Sequence, residues 1–251
     1  MATQWPTQWF DIPLAVFDLE TTGKDTSTCQ IIEIGIVQFF HGEVVKTLNW
    51  LVDPECEIPQ EVVEITHITQ ADVDGQPKIE EIIPDILEAF KGHAIVAYNI
   101  GFDRTILTRK LKEFGYEWPA ENPCFDPLIF AAHLYPNERN KLGMVAERLG
   151  ITLEGAHRAY NDAEATGKVL YAFRDKLPPD LETLLVLQSQ WERENEERFA
   201  WRRKRDGNTL IAQTSAAKGI TTAFAYGTEP DVLRALYSQV PNAAPRQKPQ
   251  G

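Results

Sequence analysis

Four acidic side chains stand at positions from which they could together hold divalent cations. Asp18 and Glu20 are two residues apart in FDLETTG, Asp103 comes soon after the apolar run AIVAYN, and Asp162 lies in HRAYNDAEAT. Side chains two apart on a strand share a face, about 6.7 Å apart along the chain at roughly 3.3–3.4 Å per residue. Two carboxylates so placed on an apolar strand repel each other unless a cation lies between them. Taken alone, Asp18 and Glu20 also fit two surface acids at a strand end.

Two of the acids and one histidine belong to the starts of predicted helices. Asp103 follows the C-terminal edge of a predicted strand, where α/β sheets commonly bind ligands, although an acid there also fits a helix macrodipole. His157 precedes Asp162 by five residues, which at 3.6 residues per turn places them about 140° apart around a helix. We therefore expect His157 on the loop that leads into the helix. Alone, His157 also fits an ordinary surface histidine.

The hydrophobic pattern predicts the elements that must position these residues. Runs rich in branched and aromatic residues indicate three strands in an antiparallel meander, at residues 14–20, 31–40 and 44–52. Apolar spacing then indicates a helix over residues 77–92 and a buried strand over 94–99. Further helices are predicted at residues 102–114, 126–135, 141–150 and 160–175. Strands first and alternating elements afterwards predict an α/β fold with a mixed sheet.

The Pro178-Pro179 pair is the expected boundary between two parts of the chain, because proline ends a helix and restricts the residue before it. Residues 1–177 form the predicted main domain and residues 178–251 a C-terminal extension. The extension begins with a helix of roughly 25 residues, apolar at its start and charged later. Short elements and a frayed tail rich in Pro, Gln and Ala follow.

Composition narrows the class of protein. The 251 residues suffice for one or two domains at roughly 150 residues each. Three cysteines without a CxxC pair exclude a disulfide framework and a thiolate zinc site, so we expect a reducing, cytoplasmic location. No apolar run approaches the roughly 20 residues that span a bilayer, so no membrane partner is expected.

The net charge of −12 taken alone argues against a nucleic-acid partner, whose phosphates repel a negative surface. The excess is concentrated, however, because residues 1–100 carry 4 basic and 17 acidic side chains. Some of these carboxylates are therefore candidates for holding cations, and a nucleic-acid partner stays open.

Three segments together resemble a known family. FDLETTG with IIEIG downstream, then VAYNIGFD, then HRAYNDAEAT resemble the three motifs of the DnaQ-like 3′–5′ exonucleases of the DEDDh type. Within that family, the segments most resemble those of the proofreading subunits of bacterial DNA polymerase III. The resemblance extends over residues 13–175 and includes THITQADV and NKLGMVAERLGI.

The resemblance implies an RNase H-like fold, with a central mixed β-sheet flanked by helices and a helical C-terminal extension. It also implies two bound Mg²⁺ ions, for which Mn²⁺ can substitute. By motif, the metal carboxylates are Asp18, Glu20, Asp103 and Asp162, and His157 is the general base. The implied reaction is hydrolysis at a 3′ end, most naturally of single-stranded or frayed DNA, that releases nucleoside 5′-monophosphates. All-oxygen ligands suit these cations, and a pair of them supports in-line phosphodiester displacement.

The same motifs imply positions that contact the substrate strand. Leu19, Thr21 and Thr22 would surround the terminal nucleotide. His67 and Ile68 would pack against or between the last bases, and Asn99 and Phe102 would line the cleft. Apolar and aromatic surfaces suit frayed strands, because every base offers a face for stacking.

Two other functions stay open at this stage. The chain could be an exoribonuclease of the same superfamily, because the discriminating contact is with the 2′-hydroxyl and depends on cleft shape. It could also be a catalytically silent subunit that binds a polymerase or nucleic acid, although all five active-site positions are intact.

The chain departs from the family after residue 178. No tether or polymerase-binding segment is recognisable there, which favours a stand-alone repair or processing enzyme over a polymerase subunit. The helix with Trp191, Phe199 and Trp201 is a candidate surface for a homodimer, or for a polymerase or repair partner, because aromatic residues are enriched in interfaces.

Overall fold

A mixed five-stranded sheet forms the centre of the molecule in the computed structural model, which describes residues 5–153, 155 and 158–205 and, for 199–205, the backbone only. The strands are β1 (Leu14–Thr21), β2 (Ile31–Phe40), β3 (Glu43–Leu51), β4 (Ala94–Val96) and β5 (Cys124–Phe125). Their order across the sheet is β3-β2-β1-β4-β5. The first three form the predicted antiparallel meander, and β4 pairs in parallel with β1 and β5. The prediction of a mixed sheet is confirmed.

Eight α-helices occur in the described part of the chain, and β4 and β5 lie between some of them along the sequence. They are α1 (Gln60–Thr66), α2 (Gln70–Val73), α3 (Ile79–Phe90), α4 (Ile100–Glu113), α5 (Pro127–Leu134), α6 (Leu142–Arg148), α7 (Ala159–Ala172) and α8 (Leu181–Arg205). Short 3-10 helices lie at Trp9–Asp11 and Arg174–Lys176. The short elements and the frayed tail predicted after the long helix lie outside the described residues.

Alternation along β1 divides its side chains between the two faces of the sheet. Leu14 and Val16 belong to the larger core cluster, together with side chains of α5, α6, α7 and the start of α8. Phe17 points to the other face, where its ring meets Phe90 of α3 at a centroid distance of 5.4 Å. Because Asp18 is two residues beyond Val16, it falls on the face that α7 covers.

Two glycines let α7 lie directly against the sheet. A Cβ on Gly35 of β2 would lie 2.2 Å from the backbone nitrogen of Tyr160. A Cβ on Gly167 of α7 would lie 2.3 Å from the Phe39 ring. Both distances are far below van der Waals contact, so the close seating of α7 depends on these two residues lacking side chains.

Helix α8 packs against the main domain through its first half. Leu181, Leu184 and Trp191 are buried in the larger core cluster. The Trp191 ring stacks on His133 of α5 at 3.9 Å between centroids. Trp191 is therefore a packing residue of this unit, which removes it from the predicted docking surface. The division of the chain at residue 178 stays a prediction.

Several elements differ from the sequence expectations. Strand β4 ends at Val96 rather than at residue 99, because Asn99 adopts a left-handed conformation, with φ of 66°, that starts α4. Helices α1 and α2 and strand β5, which are 7, 4 and 2 residues long, were not predicted. Within the described residues, no helix combines the length and apolar character needed to cross a bilayer.

Candidate active site

Three of the predicted metal carboxylates meet at one point of the structure. Asp18 and Glu20 come from β1 and Asp162 from the first turn of α7, and each offers a carboxylate oxygen within 4.8 Å of the other two. All three side chains are half-buried. Mutually close carboxylates with partial access to solvent are a suitable arrangement for a divalent cation.

Asp103, the fourth predicted carboxylate, reaches the same strand from α4. It is only 4% exposed, and its Oδ1 accepts a hydrogen bond from the backbone N–H of Leu19 at 3.2 Å. Leu19 lies between Asp18 and Glu20, so this contact fixes the start of α4 against the middle of the acidic pair. The four acids predicted from scattered sequence segments therefore converge on one stretch of β1.

Burial and the charges of neighbouring carboxylates raise the pKa values of Asp18, Glu20 and Asp103. Burial is the largest cause for Glu20, followed by the charge of Asp162, and together they raise its pKa to about 8. Burial likewise raises the pKa of Asp103 to about 8. The pKa of Asp18 is raised well above its usual range by burial and then by the charges of Asp103 and Asp162. Carboxylates crowded in this way are stabilised in their ionised form by a bound cation.

A further acid, Glu33, was not singled out from the sequence as a site residue. It is fully buried, and it lies opposite Glu20 in the pairing of β1 with β2. Its carboxylate accepts hydrogen bonds from Arg158 Nη2 at 2.7 Å, from Arg158 Nε at 3.0 Å and from the N–H of Ala159 at 3.0 Å. Asn49 of β3 donates a further bond at 2.9 Å.

Through Glu33, the sheet holds the first residues of α7. Arg158 is the N-cap residue of that helix and Ala159 is its first residue, so the ion pair places the helical turn that carries Asp162. Gly35, which pairs with Asp18, leaves room for the same turn. Within IIEIG, both Glu33 and Gly35 therefore serve the placement of α7, and a buried acid in an apolar strand was the signal available in the sequence.

His157, the predicted general base, lies outside the described residues. Helix α7 begins at Ala159, with Arg158 in extended conformation at its N-cap. The placement of His157 on the loop before the helix thus stays a prediction.

The predicted substrate residues beside the acids are engaged in local contacts. The Leu19 side chain is buried at 6% exposure. The Thr21 hydroxyl donates to the carbonyl of Gly23 at 2.7 Å, and the Thr22 hydroxyl accepts from the N–H of Gln30 at 2.9 Å. These bonds shape the turn after β1, and contact with a nucleotide stays a prediction for all three residues.

The other predicted substrate residues lie at the ends of helices. His67 is exposed in a left-handed conformation at the end of α1, whereas Ile68 is 3% exposed in a small apolar cluster. Asn99 is exposed before α4, and Phe102 is half-buried in its first turn. Ile68 therefore packs within the protein in this conformation. Base contacts by His67, Ile68, Asn99 and Phe102 stay predictions.

Comparison with known proteins decides the family. The profile of the RNase T exonuclease family matches residues 15–170, a segment that contains all five predicted active-site positions. The chain belongs to this exonuclease family. The sequence-based recognition of a DnaQ-like exonuclease is thereby confirmed, and the chain is a nuclease of the hydrolase class.

A curated relative shares the sequence of this family domain. The PolC-type DNA polymerase III of Clostridium perfringens is 41% identical over 162 residues, which cover 64% of this chain and 11% of that polymerase. The chain thus corresponds to a small part of the length of that relative.

Solved structures share the fold. Exonuclease X in complex with 5′-overhanging duplex DNA aligns with a TM-score of 0.59 at 24% identity, over 70% of this chain and 99% of that one. A 3′-exonuclease that recognises a histone mRNA stem-loop aligns with a TM-score of 0.58 at 16% identity, over 69% of this chain and 67% of that one. These RNase H-like neighbours confirm the predicted fold class.

Proposed function

We propose that this chain is a 3′–5′ exonuclease that releases nucleoside 5′-monophosphates from 3′ ends of DNA, either single-stranded or frayed. The observation that carries the proposal is the meeting of Asp18, Glu20 and Asp162 within 4.8 Å, with Asp103 fixed to the same strand. Four neighbouring acids, of which Asp18, Glu20 and Asp103 have raised pKa values, are unfavourable as a purely structural cluster. They are suited to opposing cationic charge beside a phosphodiester.

Asp18, Glu20, Asp103 and Asp162 would hold two Mg²⁺ ions, for which Mn²⁺ can substitute, because clustered carboxylates without nitrogen or sulfur ligands suit these cations. When bound, such a pair of cations stabilises the attacking and leaving oxygens of an in-line displacement. Four carboxylates opposite two divalent ions leave a formal charge near zero. An anionic strand can then approach a protein whose net charge is −12.

In this mechanism the protein's own groups orient the strand and move one proton. His157 accepts the proton of the attacking water, a role suited to an imidazole with an ordinary pKa of about 6.5. The ion pair of Glu33 with the neighbouring Arg158 holds the chain next to His157. The terminal nucleotide lies against Leu19, Thr21 and Thr22. The bases that precede it contact His67, Ile68, Asn99 and Phe102.

DNA is the favoured substrate, and RNA is the second candidate. Two observations support DNA: the relative in Clostridium perfringens is a DNA polymerase, and the exonuclease X neighbour is bound to duplex DNA. The neighbour that recognises a histone mRNA stem-loop supports RNA, because its fold is similar over a comparable share of the chain. Both alternatives use the same cluster of acids.

The decisive experiment uses two oligonucleotides of identical sequence, one DNA and one RNA, labelled at the 5′ end and digested in Mg²⁺. Successive shortening of the labelled strand with release of 5′-monophosphates would establish 3′–5′ polarity. Faster loss of DNA would support the proposal, and faster loss of RNA would favour the exoribonuclease. Cleavage of neither strand would favour a silent binding subunit. The Asp103→Ala variant, which should be inactive on both substrates, controls for contaminating nucleases.

Action in a polymerase or repair assembly, through residues beyond the main domain, is a further part of the proposal. The relative in Clostridium perfringens is itself a polymerase. A truncation after Lys176 would remove the core residues Leu184 and Trp191, so a truncation after Arg205 is the cleaner test. Loss of partner capture or of a dimer on light scattering after that truncation, with unchanged nuclease activity, would assign the assembly role to residues 206–251.

A further inference from the structure

Helix α8 contributes a buried side chain to the edge of the central sheet. Gln188 is fully buried, its Oε1 accepts the N–H of Asp126 at 2.8 Å, and its Nε2 donates to the carbonyl of Cys124 at 3.1 Å. One side-chain amide thus bonds to a donor and an acceptor along the edge strand β5, as a neighbouring strand would. A buried glutamine with both ends paired fixes α8 in one register against β5.

The carboxylate of Asp126 collects three backbone N–H groups immediately after β5. Its Oδ1 accepts from Asn99 and Leu128, both at 2.9 Å, and its Oδ2 accepts from Ile100 at 3.1 Å. The bond from Leu128 is the N-cap of α5, whereas the bonds from Asn99 and Ile100 belong to the start of α4. Asp126 is 4% exposed, so water cannot replace these bonds readily.

The start of α4 requires this support because of its backbone geometry. Asn99 has φ of 66° and ψ of 48°, a left-handed conformation that non-glycine residues rarely adopt. The turn directs the chain from β4 into α4, whose fourth residue is Asp103. Asp103 then accepts from the N–H of Leu19, between the two acids of β1. Hydrogen bonds from α8 to Asp126, from Asp126 to the start of α4 and from Asp103 to β1 are therefore joined through the first turn of α4.

We propose that Asp126 and Gln188 are positioning residues that hold Asp103 at the metal site. This inference rests on the proposed function, because it concerns the cations that Asp103 would help to hold. Asp126 fixes the left-handed turn that aims α4, and Gln188 fixes Asp126 from α8. Helix α8, which the sequence assigned to an extension, is on this reading a part of the catalytic architecture.

Asparagine is the sharpest substitution at Asp126. In Asp126→Asn, the remaining oxygen can still accept from the N–H groups of Asn99 and Leu128. The new NH₂ group, a donor, then faces the N–H of Ile100, which is also a donor. The N–H of Ile100 in α4 therefore loses its acceptor, while the side-chain volume is nearly unchanged. Gln188→Met keeps the length of the side chain and removes both of its bonds to β5, so it tests the same series of contacts from the opposite end.

Asn122→Ala is the matched control. Asn122 lies just before β5, as Asp126 lies just after it, and it is 7% exposed. Its Nδ2 donates to the carbonyls of Phe90 at 2.7 Å and His93 at 2.8 Å, at the end of β5 away from α4. Removal of these bonds should lower thermal stability without disturbing Asp103.

The measurement is Mn²⁺ affinity by calorimetry on the full chain, with DNA cleavage measured in parallel. We expect Asp126→Asn and Gln188→Met to weaken Mn²⁺ binding by about 10-fold or more, the usual effect of losing a residue that orients a metal ligand. Asn122→Ala should bind Mn²⁺ within about twofold of the wild type. The KM for DNA should change little in Asn122→Ala, because its lost bonds to Phe90 and His93 lie away from the proposed strand contacts Asn99 and Phe102.

Wild-type affinity in Asp126→Asn would overturn the positioning role, as would equal weakening in Asn122→Ala, which would indicate general loosening. If Asp126→Asn does not fold, the same comparison between Gln188→Met and Asn122→Ala decides the matter. A wild-type chain that binds no Mn²⁺ would overturn the proposed function and this inference with it. If the wild-type chain binds Mn²⁺ and Asp126→Asn binds it with the same affinity, this inference alone is overturned.

Discussion

Glu20 and Glu33 face each other across β1 and β2, yet their carboxylates serve different purposes. Glu20 joins Asp18 and Asp162, whereas Glu33 is paired with Arg158 and with the first N–H of α7. Of these two adjacent acids on one face of the sheet, Glu20 thus belongs to the candidate cation site. Glu33 supports α7, the helix that supplies Asp162 to that site.

Removal of the charge of Glu33 should loosen α7. In Glu33→Gln, an amide group faces donors from Arg158, Ala159 or Asn49, so at least one buried donor loses its acceptor. We expect the free energy of unfolding to fall by about 1–3 kcal/mol. Mn²⁺ affinity should fall as well, because Asp162 moves with the helix. Urea unfolding and calorimetry would measure both effects.

Asn49→Ala is the control for that substitution, since it removes one bond to Glu33 and leaves the pair with Arg158 intact. Its effect on Mn²⁺ affinity should be much smaller. Equal losses in the two variants would contradict a special role for the ion pair with Arg158.

Substitutions of the metal acids and of His157 should differ in their effects on cation binding. Asp18→Ala and Asp103→Ala are expected to lose both cation binding and nuclease turnover, because each removes a ligand from the cluster. His157→Ala should lose most turnover, on the order of 10²–10⁴-fold, while it retains cation binding. Calorimetry beside a cleavage assay makes the distinction. Full activity in His157→Ala would remove it from the proposed mechanism.

Cation binding should release protons near neutral pH. Without a cation, burial raises the pKa values of Glu20 and Asp103 to about 8, so these groups are mostly protonated at pH 7. Ionised ligands bind the cation, and the protons must leave. Calorimetric titration at pH 7 in buffers of different ionisation enthalpy would count them. Binding enthalpies that do not depend on the buffer would contradict the raised pKa values.

The same pKa values fix the sign of the pH dependence of stability. Between about pH 5 and pH 8 the folded, cation-free chain holds protons that the unfolded chain has already lost, so its stability should fall as pH rises. Mg²⁺ should reverse this loss, with the largest increase in Tm at the alkaline end. Thermal melts with and without Mg²⁺ would show it, and Glu20→Gln should flatten the slope of the cation-free protein.

A single methyl group on Gly35 should displace α7. The Cβ of Gly35→Ala would lie 2.2 Å from the backbone nitrogen of Tyr160, so the helix or the strand must move. We expect a loss of stability of about 1–3 kcal/mol from overpacking, together with a loss of turnover because Asp162 shifts. Gly143→Ala is the control, since its Cβ would meet only an ordinary contact at 3.9 Å. Wild-type turnover in Gly35→Ala would contradict the dependence of the site on this contact.

The sequence could predict the acids and the strands that carry them because both follow short-range rules. Asp18 and Glu20 lie on one face by the period of a strand, and the meander follows from three apolar runs. The roles of Glu33, Asp126 and Gln188 could not be predicted in this way. Their partners lie 125, 27 and 62 residues away, and no local pattern specifies such pairings. The shortest elements, α2 and β5, were missed because four or two residues carry too little periodicity.

The contact of Gln188 with β5 also has a consequence for the newly synthesised chain. A ribosome releases the N-terminal segments first, so β1 and its acids emerge long before α8. The bonds from α8 to β5 can form only after residue 188 has left the exit tunnel. Until then the domain lacks one support of Asp103, so we expect nuclease activity to mature only after most of the fold has formed.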